Sequence, residues 1–132
     1  MSAAIDAGAD RLVLVGAMGG ERTDHSMAHL VHALALAEHG RDIYLTSGDE
    51  EAYPLVPGRV TFDLPVGCLF SILGFTDLIG LTIENARYPL DDYTSSFGSS
   101  RTISNVAEGA ISVRLNSGRA MLLARPYDFT GV

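Results

Sequence analysis

Arg11-Leu-Val-Leu-Val-Gly16, then Ala17-Met-Gly-Gly-Glu-Arg-Thr-Asp24, then Ser26 to His39, then Arg41-Asp-Ile-Tyr-Leu-Thr46: these consecutive segments decide the fold of the first part of the chain. The first is a short unbroken apolar run rich in Val, the pattern of a strand buried on both faces of a parallel sheet. The second is a polar, Gly-rich loop. In the third, Met27, Leu30, Val31 and Leu34 recur at i, i+3, i+4 and i+7 and make one apolar helix stripe. Asp24 or Thr23 is placed to cap the start of that helix, and Gly40 to end it. The fourth segment is a return strand, and this order predicts a right-handed parallel crossover. Upstream, Ser2-Ala-Ala-Ile-Asp-Ala-Gly8 reads as the last turns of another helix. One strand–helix–strand unit cannot cover both faces of a parallel sheet. The expected unit is therefore an incomplete, Rossmann-like α/β domain, cut short on its N-terminal side.

Outward from there, the pattern changes. Pro54-Leu-Val-Pro57-Gly58 reads as a linker or sharp turn, dividing a partial α/β domain, residues 1–56, from an all-β domain, residues 57–132. Arg59-Val-Thr-Phe-Asp-Leu64 alternates with period two. Cys68-Leu-Phe-Ser-Ile-Leu73 is short and apolar, with Cys68 read as a packing residue. Leu78-Ile-Gly-Leu-Thr-Ile-Glu84 follows. Ala110-Ile-Ser-Val-Arg-Leu115, a turn at Asn116-Ser-Gly118 and Arg119-Ala-Met-Leu-Leu-Ala-Arg125 read as a hairpin. Short strands at this spacing predict a small antiparallel sandwich or a barrel, of which the sandwich is the expected one.

Composition narrows the chemistry. The 132 residues carry 9 basic and 16 acidic side chains, a net charge of −7, and every base is Arg. Without Lys there is no Walker A loop and no Schiff-base lysine. The acidic balance argues against nucleic acid and anionic membrane as partners. The single Cys suggests a reducing compartment. No stretch has the length and continuity of a membrane helix, and no basic n-region precedes the first apolar run, so the expected location is cytoplasmic.

Three segments could carry chemistry. Gly19-Gly-Glu-Arg-Thr-Asp-His25 lies between a strand end and a helix start, where open α/β sheets bind ligands and exposed N–H groups favour phosphate. Arg22 adds a positive fork and Asp24 a carboxylate; a plain capped helix start with a solvated Arg22 accounts for the same residues. Arg87-Tyr-Pro-Leu-Asp-Asp92 is held extended before Pro89 and turned by its two Asp, as a ligand segment or an inter-strand loop. Ser99-Ser-Arg-Thr-Ile-Ser-Asn105 is small and polar, suited to a ligand's polar ring or to an ordinary surface loop. His25, His29 and His32 share one helix face, which is either a Zn²⁺ ligand set or a solvated stripe.

Taken in order, GGERTDH (19–25), ENARYPLDD (84–92) and SSRTISNVAEG (99–109), with Ser71 in the strand between them, resemble thiamine pyrophosphokinase over nearly the whole chain. The resemblance implies an α/β nucleotide-handling domain followed by a β-sandwich. It also implies transfer of the diphosphoryl group of ATP to the hydroxyethyl oxygen of thiamine, with Mg²⁺ neutralising phosphate charge and AMP as the second product. It implies a homodimer that holds thiamine between the α/β domain of one subunit and the β-domain of the other. Arg22 and Asp24 would be catalytic, with Asp24 a metal ligand. His25, Ser71, Tyr88, Ser104 and Asn105 would bind substrate. The chain departs from the family pattern in lacking the D-x-D-S-type and D-x-T-D-type acidic motifs, and in the Glu21 that separates Gly20 from Arg22. Asp49, Glu50 and Glu51 do not replace those motifs. The alternative is therefore a non-catalytic module that binds thiamine or thiamine diphosphate.

Overall fold

The computed structural model describes residues 11–16 and 22–127. The expected helix end over Ser2–Gly8 and the Gly19–Glu21 part of the loop lie outside the described residues. The described fold is mostly β-sheet with one helix. In chain order its elements are β1 (Arg11–Val15), α1 (Thr23–Glu38), β2 (Asp42–Thr46), β3 (Glu51–Leu55), β4 (Gly58–Phe62), β5 (Leu69–Gly74), β6 (Leu78–Ala86), β7 (Leu90–Ser95), β8 (Asn105–Leu115) and β9 (Ala120–Arg125).

β1 and β2 pair in parallel, Arg11 opposite Asp42 through Val15 opposite Thr46, with α1 as the crossover between them. α1 starts three residues before the expected position. Arg22 is its N-cap and no side chain caps it, because Asp24 accepts a hydrogen bond from the N–H of the adjacent His25 at 2.9 Å instead. Its end is as read: Gly40 takes φ +81°, a left-handed turn that a side chain disfavours, and its N–H donates to the Ala37 carbonyl at 3.0 Å.

Two burial expectations change. α1 buries Leu30, Ala33 and Leu34, leaving Met27 44% and Val31 51% exposed. The buried stripe is thus rotated toward Ala33, whose small side chain lets the helix sit close on the sheet. β1 is covered on one face only, with Leu12 buried and Val15 81% exposed. It pairs with β2 alone among the described strands and so ends the described part of the sheet.

The strands form two sheets. The first runs β1-β2-β3-β9-β5, and the second holds β4, β8, β6 and β7; β8 joins them by also pairing with β5 through Asn105 and Val106. Strands from both sides of position 56 thus share one sheet, since β3 pairs with β9 along its whole length. The Pro54–Gly58 stretch is strand through Leu55. Pro54 is tolerated there because β2 pairs with β3 only at Glu51 and Ala52, so one edge of β3 is open at Pro54.

The expected hairpin of β8 with β9 does not form. β9 lies between β3 and β5, and β8 lies between β4 and β6. The intervening residues turn a corner between the sheets. Asn116 and Ser117 both donate backbone N–H groups to the Ile79 carbonyl, and the Arg119 N–H donates to Thr76 Oγ1 at 3.0 Å. β7 occupies part of the segment read as an inter-strand loop and pairs with β6.

Two cores result. One lies between the sheets and includes Phe62, Cys68, Phe70, Ile72, Leu81, Ile83, Val113 and Leu122. The other lies between the first sheet and α1, around Leu30, Leu34, Ile43, Leu45 and Met121. β9 serves both, through Leu122 on one face and Met121 on the other.

Candidate functional site

A pocket of about 470 Å³ opens where the β6–β7 turn meets the loop that leads into β8. Ile83 and Leu90 supply its apolar floor, and Tyr88, Pro89 and Ile103 its rim. Arg87, Arg101 and Ser104 supply polar groups.

The walls are locked by hydrogen bonds between residues far apart in sequence. Asn105 Nδ2 donates to the Tyr88 carbonyl at 2.9 Å, and the Tyr88 N–H donates to Asn105 Oδ1 at 3.1 Å. The same Oδ1 accepts the Val106 N–H at 2.8 Å. Asn105 is buried, so this clip fixes the β6–β7 turn against the start of β8 in a water-poor setting. Ser71 Oγ, on β5, accepts the Ser104 N–H at 2.9 Å. Thr102 donates its hydroxyl to the Ile72 carbonyl, and the Ile72 N–H donates to the Thr102 carbonyl at 2.9 Å. Between these anchors Ser104 holds φ +66°, a left-handed conformation that a residue with a Cβ rarely adopts.

Four of the residues singled out from sequence therefore come together here: Ser71, Tyr88, Ser104 and Asn105. Two of them act through others. Asn105 and Ser71 spend their polar atoms on the backbone of Tyr88 and Ser104, so they position the wall. Ser104 and Tyr88 themselves line the pocket. Sequence reading missed Arg87 and Arg101 as lining residues, although both stand inside the segments it picked out.

Arg22, Asp24 and His25 lie elsewhere. Arg22 Nη2 donates to Asp24 Oδ2 at 2.7 Å and its Nε to Oδ1 at 3.2 Å, a bidentate pair on the surface. That guanidinium, with the His25 N–H second, holds the Asp24 carboxyl below the usual carboxylate range. Val15, Thr46, Glu51, Ala124, Phe70 and Asn105 form one register row across the first sheet. The row puts Val15, where β1 ends, and Asn105 at the same end of the strands, five strands apart. None of Arg22, Asp24 and His25 lines the pocket.

As for metal, Asp24 is a single carboxylate already shared with Arg22, and no group of three or more His, Cys, Asp or Glu side chains among the described residues could hold an ion. His25, His29 and His32 are all exposed and form no such group. The described residues do not fit Mg²⁺ by themselves.

Residues 59–120 match the sequence profile of the thiamin pyrophosphokinase vitamin B1 binding domain, and they include every residue that lines the pocket. Over this stretch the chain is similar to the thiamine pyrophosphokinase family, through its vitamin B1 binding domain. Solved structures share the fold. The thiamine pyrophosphokinase of Bacillus subtilis superposes with a TM-score of 0.87 at 20% identity, over 96% of this chain and 60% of that one. The enzyme of Geobacillus thermodenitrificans gives 0.83 at 24% identity, over 99% and 60%. That of Candida albicans gives 0.74 at 13%, over 89% and 45%. The chain thus spans about 60% of the length of the bacterial family members. No curated protein matches its sequence significantly. No helix among the described residues is long and apolar enough to cross a membrane.

Proposed function

We propose that this chain works as a thiamine pyrophosphokinase, transferring diphosphate from ATP to thiamine to give thiamine diphosphate and AMP. The observation that carries the reading is the pocket closed by Tyr88–Leu90 and Arg101–Asn105, which lies inside the matched vitamin B1 binding domain. Its apolar floor and aromatic rim suit a flat heteroaromatic ring, and Ser104 suits a polar ring substituent. In this reading Ser71 and Asn105 position the wall, and Tyr88 and Ser104 touch thiamine.

Arg22 and Asp24 are the chain's catalytic candidates, and His25 stands next to them. The reading includes a homodimer, in which the α1 loop of one copy faces the pocket of the other; five strands separate Val15 from Asn105 within one copy. ATP and Mg²⁺ belong to the same reading, with Asp24 as the one carboxylate offered here. Since the described residues do not complete a magnesium site, the reaction needs acids beyond them. The setting is cytoplasmic.

A second reading rests on the same observation and on the missing acidic motifs: a module that binds thiamine or thiamine diphosphate without turnover. One assay separates the two. Purified chain is incubated with ATP, Mg²⁺ and thiamine, and AMP and thiamine diphosphate are resolved by chromatography, alongside calorimetric titration with thiamine. Product formation supports the kinase. Binding without product supports the module. Absence of both from folded protein removes both readings.

A further inference from the structure

The pocket's charge does not match free thiamine. Thiamine carries a quaternary thiazolium, a permanent cation, yet the residues that line the pocket include two arginines and no carboxylate. Arg87 already makes an interaction of its own, so the charge offered to a ligand is that of Arg101. Arg101 is exposed at the mouth, and its guanidinium has no hydrogen-bond or ion-pair partner among the described residues. Its position is fixed by the backbone, since its N–H donates to Ser99 Oγ at 3.1 Å and the next residue, Thr102, is anchored to Ile72. Ser104 Oγ adds a hydroxyl on the same wall.

We propose that this pocket reads the phosphorylation state of its ligand, with Arg101 as the residue that makes it favour thiamine diphosphate over thiamine. The inference rests on the reading of the pocket as the thiamine site. A guanidinium forks onto phosphate oxygens with charge-assisted hydrogen bonds, whereas it repels a thiazolium; the nearest carboxylates, Glu84 and Asp91, line the adjoining pocket and not this one. The same chain would then hold its product more tightly than its substrate, so that release of thiamine diphosphate limits turnover.

The test is calorimetric titration of the 132-residue chain with thiamine diphosphate, thiamine and inorganic pyrophosphate, in low and high salt. Thiamine diphosphate is expected to bind about tenfold more tightly than thiamine, with the ratio shrinking as salt screens the exposed Arg101. Arg101→Gln is expected to bring the ratio close to one, and Arg101→Lys to keep part of it; the melting temperature of each variant verifies folding. Thiamine binding as tightly as its diphosphate overturns the inference and leaves the pocket assignment standing. An unchanged ratio in Arg101→Gln also overturns it. No binding of either thiamine compound overturns both, even where pyrophosphate alone binds.

Discussion

Ser104 and Asn105 stand side by side and do opposite things to stability. Asn105 closes three hydrogen bonds in a buried setting. Asn105→Ala leaves the Tyr88 backbone without partners and is expected to cost at least about 2 kcal/mol in urea unfolding. A loss below half of that would mean that water replaces the clip. Ser104 carries the left-handed strain. Ser104→Gly is expected to raise stability by up to about 1 kcal/mol while weakening ligand binding, because the freed backbone no longer presents the wall in one conformation. Tighter binding by this variant would refute a preorganised wall.

Tyr53 gives a pH signature at the same scale. Burial first, and the Glu51 carboxylate second, push its phenol up to about 12. A raised folded-state value means that its contribution is fully present below the ordinary value of 10 and is lost as pH rises from 10 through 12. Absorbance titration of the 5 tyrosines should show one late-ionising group that Tyr53→Phe removes. If the late phase survives, another tyrosine is responsible. The segments that line the pocket were legible as motifs in chain order, though Arg87 and Arg101 within them were not singled out. The clip was not, because Asn105 and Ser104 bond residues 17 and 33 positions away, and no local pattern encodes such a partner.

Among elements, the corner between β8 and β9 shows where local reading stops. Asn116-Ser-Gly118 has the residues of a hairpin turn, and alternating strands flank it. Yet the two strands part company, because the backbone of the turn is claimed by Ile79 and Thr76 from the neighbouring chain segment. Gly118 takes φ +118°, and a Cβ there would lie 2.4 Å from the Asp77 carbonyl oxygen. Gly118→Ala is therefore expected to destabilise by about 2 kcal/mol or more, since a backbone atom must shift. A neutral result in thermal unfolding would place the corner elsewhere. β3 and β7 were hidden for a different reason. Pro54 and the Asp91-Asp92 pair break strand propensity, and both are accommodated only because of local strand edges or irregular register. Strands with clean alternation or continuous apolar runs, such as β4, β5 and β8, were legible.

Over the whole molecule, the compositional break near position 56 marks a change of pattern without a break in the sheet. The first sheet takes β1, β2 and β3 from one side and β9 and β5 from the other. The Arg119–Glu38 ion pair at 3.4 Å also spans it, though at the surface its contribution is small. Unfolding is accordingly expected to be a single cooperative transition. Leu122→Ala, at a fully buried position between the sheets, should cost about 2–5 kcal/mol. It should lower the loss of helical signal and the loss of tyrosine environment by the same number of degrees. Two separated transitions would show that the α1 side melts by itself. The place of β9 has one more effect. It is the last of the described strands to leave the ribosome and it fills the middle of the first sheet, between β3 and β5. Until it emerges, both of those neighbours present open edges to the cell. Assembly must therefore wait until β9 has been made, and a chain stalled before Ala120 offers two aggregation-prone seams that a chaperone would have to cover.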